Sequence, residues 1–170
     1  MSPGGKIKDP KDLVPGFPAE ERMKLSNLVN FDHIQKMVES NFKATGMPTG
    51  IIDVADGEIF AGIGWQDICV NFHRKNQISA KRCIESDTQI KQHLKPGLSY
   101  GYKCKNGMRD IGIPIFVDKT YVATLFLGQF FYEDEIPERD FFISQANEFG
   151  YDLKKYLDAL DRVPKFRKEK

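Results

Sequence analysis

The chain predicts an α+β fold, a five-stranded antiparallel sheet with helices inserted after its second strand and two more helices at its end. Three observations carry this. Residues 50–62, GIIDVADGEIFAG, are two short apolar runs split by Asp56-Gly57, a dipeptide suited to a hairpin turn. Helical spacing occupies most of 66–94. From residue 98 onward the period drops to two, with turn dipeptides at Asn106-Gly107 and Asp118-Lys119.

Each element has its own signal. Phe31, Ile34, Met37, Val38 and Phe42 fall on one face of a helix over 31–43, with Asn30 as N-cap and Gly46 as terminator. The inserted helices are expected over 66–73 and 78–94, the second stopped by Pro96-Gly97. Strands follow over 98–104, 108–117 and 121–132. Pro137 suits the first turn of a helix that Gly150 ends, and Asp152 caps the last one. Two strands, helices, then three strands is the order of a PAS-like sensor fold.

With 170 residues the chain holds one full core. Residues 1–25 read as a flexible lead, 26–164 as the domain and 165–170 as a frayed basic tail. A hydrophobic content of 41% and a net charge of +1 fit a soluble domain with no general attraction to nucleic acid or an anionic membrane. No stretch approaches the roughly 20 apolar residues of a membrane span, and no signal peptide opens the chain. Three cysteines, Cys69, Cys83 and Cys104, are then expected as reduced thiols in a cytoplasmic protein.

Candidate chemistry sits on the sheet and the inserted helices. A two-residue turn at Asn106-Gly107 sets Cys104 opposite Arg109, Lys103 opposite Asp110 and Gly101 opposite Gly112. Carried through the next turn, the register sets Gly112 opposite Leu125 and Pro114 opposite Ala123. One face then presents Gly101, Asp110, Gly112, Pro114, Ala123, Leu125, Leu127 and Gln129, open either to a ligand or to a packed helix. On the 78–94 helix, Ala80, Cys83, Ile84, Ile90 and Leu94 form an inward stripe that includes Asp87. A carboxylate there needs a use or a partner, with Arg74 and Arg82 as candidates. Cys69 and His73 share a helical face, and with Cys83 and Cys104 they make a Cys3His set that zinc accepts. Buried core thiols are the plainer reading. The thiols are expected to converge, and a cation at His73 or Arg109 would favour thiolate. No orienting group or oxyanion loop accompanies a Cys-His pair, so no catalytic site is expected.

Four runs, ICVNFHRKNQISAKRCIESD, YKCKNGMRDIGIPI, LFLGQFFYEDE and FFISQANEFGYDLKKYLDALDRVP, resemble the sensory domain of the PocR transcriptional regulator over 31–164. The family pattern keeps the three cysteines and Phe72-His73-Arg74. It usually reads NGL where this chain has Asn106-Gly107-Met108. The resemblance implies a PAS-like domain that binds a small organic molecule and signals to an output module, such as a histidine kinase or a DNA-binding domain. It implies no catalysis, no required cofactor, and no direct contact with nucleic acid or membrane. The ligand-binding candidates are Phe72, His73, Cys83, Asp87, Tyr102, Cys104, Asp110, Phe126 and Gln129. The alternative is a metal or redox sensor holding zinc or another thiol-bound metal on Cys69, His73, Cys83 and Cys104.

Overall fold

The structure is a computed structural model and describes residues 23–168 apart from 91 and 94. Helix α1 (Phe31–Thr45) begins at Asn30, whose side chain accepts from the His33 N–H, and ends at the left-handed Gly46. Strands β1 (Thr49–Asp53) and β2 (Ile59–Ile63) form the first hairpin. A π-helical turn, Ile68–His73, and α2 (Gln77–Ile90) are the inserted helices. Strands β3 (Tyr100–Lys103), β4 (Arg109–Val117) and β5 (Thr120–Tyr132) follow. Helices α3 (Arg139–Phe149) and α4 (Leu153–Asp161) come next, then a short β6 (Lys165–Phe166). Asp152 caps α4 by accepting from the Lys155 N–H.

The sheet order is β2-β1-β5-β4-β3, antiparallel throughout, with β6 added in parallel to β5. Six strands therefore stand where five were expected. The sixth comes from the basic end. Lys165 and Phe166 pair with Phe131 and Tyr132, and the Phe166 ring meets Phe130 edge-on at 5.5 Å. Packing also reaches the edge of the expected lead. Leu25 is buried and its N–H donates to Asp53 Oδ2 at 2.7 Å. Most of that lead, and Leu94 of the expected helical stripe, lie outside the described residues.

The strands match expectation, but their register does not. The β3–β4 loop has three residues, 105–107, because Cys104 and Met108 are the pair that bond: the Cys104 N–H donates to the Met108 carbonyl at 2.8 Å. Gly107, at φ +95°, takes the left-handed position that a three-residue loop requires. Lys103 therefore faces Arg109, Tyr102 faces Asp110, and Tyr100 faces Gly112. The β4–β5 pairing starts as expected with Val117 opposite Thr120 and Phe116 opposite Tyr121. Val122 then bulges, so that Ile115 meets Ala123 and Gly112 meets Phe126. A second irregularity places Asp110 opposite Gly128 and Arg109 opposite Phe130, leaving Gln129 as the extra residue.

The consequence is an exchange of faces. Thr124, Phe126 and Gly128 join Asp110, Gly112 and Pro114, opposite Gly50 and Ile52 of β1. Gly101, Ala123, Leu125 and Leu127 leave that group. Ala123 belongs instead to the α1-side core with Val38, Ile51 and Val122, against which Leu125 packs. The inward stripe of α2 also differs: Ser79, Cys83, Ser86 and Ile90 are buried, whereas Ile84 is 51% exposed. Polar Ser79 and Ser86 can lie inside because their hydroxyls donate to the His73 and Arg82 carbonyls. Ile90 packs where a side chain on Gly112 would otherwise sit, so part of the small-residue face receives a helix. A second core, built on Ile68, Met108, Phe131, Phe142, Tyr156 and Leu160, joins the π-helical turn to α3 and α4.

Candidate functional site

Between the two β5 bulges, the sheet and the inserted segment enclose a narrow cleft of about 10 Å³, room for about one water molecule. The floor is Gly50, Ile52, Phe126 and Gly128; Asp110 and Gln129 close one end, and Trp65, Arg74 and Asp87 stand at its walls. Trp65 follows β2 and lies flat on the hairpin because two glycines allow it. A Cβ on Gly50 would come within 2.7 Å of Trp65 Cζ2, and one on Gly62 within 2.8 Å of its Nε1. The Arg74 guanidinium lies over the indole, 5.3 Å from the ring centroid. Its Nη2 is 3.5 Å from Asp87 Oδ2, and the Tyr102 hydroxyl donates to Asp87 Oδ1 at 3.2 Å. Of the two arginines expected as partners of Asp87, Arg74 takes the role and Arg82 pairs with Glu148.

The inner end is buried. Asp110 and Gln129 are each 7% exposed. Burial, and next to it the charge of Asp87, pushes the Asp110 carboxyl well above the usual carboxylate range, with Arg74 pulling weakly the other way. Gln129 Oε1 is buried with no hydrogen-bond partner among the described residues. An acceptor left this way is costly unless something supplies a donor.

His73 and Phe72 belong to a different place. The Phe72 ring meets Tyr151 at 5.5 Å and Tyr156 at 5.2 Å, both edge-on. His73 is fully buried, with Nε2 at 2.7 Å from the Tyr156 hydroxyl and Nδ1 at 3.9 Å from Cys69 Sγ. Tyr156 in turn donates to Gln145 Oε1 at 2.7 Å, so His73 carries its proton on Nε2 and offers Nδ1 to the Cys69 thiol. Burial, followed by the charges of Arg74 and Arg82, lowers the His73 pKa to about 3. Neutral His73 therefore lends no cation to Cys69.

All three cysteines are free thiols. Burial raises Cys69 and Cys83, and raises Cys104 to about 12. Cys69 feels the charges of both Cys104 and Cys83, so the three are neighbours in electrostatic terms. Cys83 Sγ accepts from the Asn106 amide at 3.2 Å, and Cys104 Sγ from the Met108 N–H at 3.3 Å. These contacts tie the β3–β4 loop to α2. Arg109, expected near Cys104, instead pairs with Glu135 and lies over the Tyr132 ring. Among the described residues no three His, Cys, Asp or Glu side chains are placed to hold a metal ion.

The nine ligand-binding candidates thus divide. Asp87, Asp110, Phe126 and Gln129 line the cleft, and Tyr102 holds one of its walls. Phe72, His73, Cys83 and Cys104 sit in the packing beside it. Trp65, Gly50 and Gly128 were not anticipated. Their signal is faint: a lone tryptophan in a glycine-flanked stretch with no periodicity.

Fold and cleft together define the class: an α+β domain with a partly buried polar cleft between its sheet and its inserted helices. A family model described as the sensory domain found in PocR matches residues 27–170, and the chain belongs to that family. Neither the curated proteins nor the solved structures compared with the chain give a match. Among the described residues no helix is long and apolar enough to cross a membrane.

Proposed function

We propose that the domain is a cytoplasmic receptor for a small organic molecule, bound in the cleft walled by Trp65, Arg74, Asp87 and Asp110. The observation that carries this reading is the buried Gln129 Oε1, left without a partner on a residue that lines the cleft. Stability alone would favour an apolar residue there. The cleft has room for about one water molecule in this conformation, so a ligand must be small and must part the walls as it enters. The strand order supports a PAS-like scaffold, and membership of a sensory family supports a signalling role. A ligand that prefers one arrangement of sheet and helices shifts the population seen by an output module such as a histidine kinase or a DNA-binding domain. The reading requires no cofactor and no turnover: the thiols stay protonated, and His73 is locked in the core.

The test is a screen of small alcohols, diols, amines and acids, read by melting shift and by emission of Trp65, the chain's single tryptophan. A ligand at about 100 times its dissociation constant should add about 2.7 kcal/mol if it binds only the folded state. Substrate turnover that disappears on replacing Cys83 or His73 would sink the proposal.

A further inference from the structure

The polar groups around the cleft are unbalanced, and the imbalance describes the occupant. Gln129 Oε1 accepts and has no partner. Asp110 offers only acceptors once ionised. Among the described residues lining the cleft, the cation is Arg74, already engaged by Asp87 and the Trp65 ring. A carboxylate or phosphate ligand could accept only from a protonated Asp110, would add charge of the sign that Asp87 carries, and would leave Gln129 Oε1 stranded. Resting on the cleft reading above, we propose that the ligand is a small primary ammonium ion. Its N–H groups donate to the Asp110 carboxylate and Gln129 Oε1, and its short alkyl part opens the narrow cleft to lie against Trp65, Ile52 and Phe126.

The proton balance is explicit. In the free protein burial, and next to it the charge of Asp87, favours the protonated form of Asp110. The groups whose charges it shares are Asp87 and Cys83 of α2, Arg74 and Cys69 of the segment before it, and Tyr102 and Cys104 around β3. The thiols and Tyr102 are all held protonated, so Asp110 is the group that changes. The floor residues of β1 and β5 do not titrate. When the ammonium arrives, Asp110 ionises and its proton leaves to solvent, so one positive charge replaces another. Affinity then rises with pH, by up to about tenfold per unit, until the pH passes the free-state pKa of Asp110.

The experiment uses the full chain with propylammonium, 1-propanol and propionate as probes. Binding is followed by Trp65 emission and by calorimetry in phosphate and in MOPS, which carries no primary amine, at one pH. Propylammonium should bind at least about tenfold tighter than either other probe, with a buffer-dependent heat equal to release of about one proton. Asp110→Asn should remove both the preference and the proton release. Gln129→Met should weaken propylammonium binding and keep the proton release. Equal or tighter binding of 1-propanol or propionate would overturn the proposal, as would a heat independent of buffer. Either result leaves the cleft reading standing. A cleft that neither these nor any other small probe enters would bring down both.

Discussion

His73 and Arg74 are consecutive residues, yet one side chain enters the aromatic core and the other the cleft. His73 is fully buried and bonded on both ring nitrogens, to Tyr156 and towards Cys69. Arg74 keeps 36% of its side chain exposed and is steered by Asp87 and the Trp65 face. The core chain of thiol, imidazole, phenol and amide is spent on packing. In the cleft, Gln129 Oε1 and the raised Asp110 carboxyl are costs that packing does not repay. Gln145 Nε2, at the end of the core chain, also lacks a partner among the described residues, so what sets Gln129 apart is its place at the cleft.

Acid should separate the two regions most sharply. His73 titrates near 6.5 when unfolded and near 3 when folded. The unfolded chain therefore binds the extra proton between those values, and stability present above about pH 6.5 is lost as pH falls towards 3. The full loss is roughly 5 kcal/mol. Urea denaturation across this range checks it, and a His73→Asn variant that retains the same slope would refute it. Asp110 has the opposite sign. Its raised folded pKa gives stability that is present below about pH 4 and lost as pH rises.

Truncation of the core comes next. Tyr156→Ala removes a fully buried ring and should cost about 3–5 kcal/mol in chemical denaturation. Binding by the folded fraction should be unchanged, since Tyr156 does not line the cleft. A changed affinity would join the two regions that the comparison keeps apart. Gly50→Ala works the other way. Its Cβ would press on Trp65, costing about 1–3 kcal/mol and displacing the indole, so emission and binding should both change. Unaltered binding would remove Trp65 from the site.

The smallest effect on folding should come from Asp87→Ala. Asp87 and Arg74 each keep about a third of their side chains exposed, so losing the pair should cost no more than about 1 kcal/mol. Affinity should fall by more than stability does. A loss of about 3–5 kcal/mol with unchanged affinity would mean that Asp87 serves the fold.

Much of the fold was legible because its signals are local. Asn30, Gly46, Gly150 and Asp152 end or begin helices through contacts with their own neighbours, and the turn dipeptides bracket the strands. The faces were not legible. Bulges at Val122 and Gln129 depend on what packs across the sheet, and one extra residue is enough to exchange the sides. Asp87 and Asp110 stood out as carboxyls on buried elements. Trp65 did not, because its place rests on glycines from two strands. Phe72, His73, Cys83 and Cys104, an aromatic ring, an imidazole and two thiols, are types that fill a core as readily as they line a site, and the packing beside the cleft absorbed them.

The two irregularities in β5 behave like compensating frameshifts. Each adds one residue against β4, and two additions restore the alternation that one destroys. Outside them the strand reads in one frame, and between them, from Ala123 to Gly128, in the other. The cleft floor is written wholly in the shifted frame. Alignments of related chains should therefore be judged on whether both extra residues are kept: losing one would turn the floor inside out, while losing both would erase the site and leave the sheet intact.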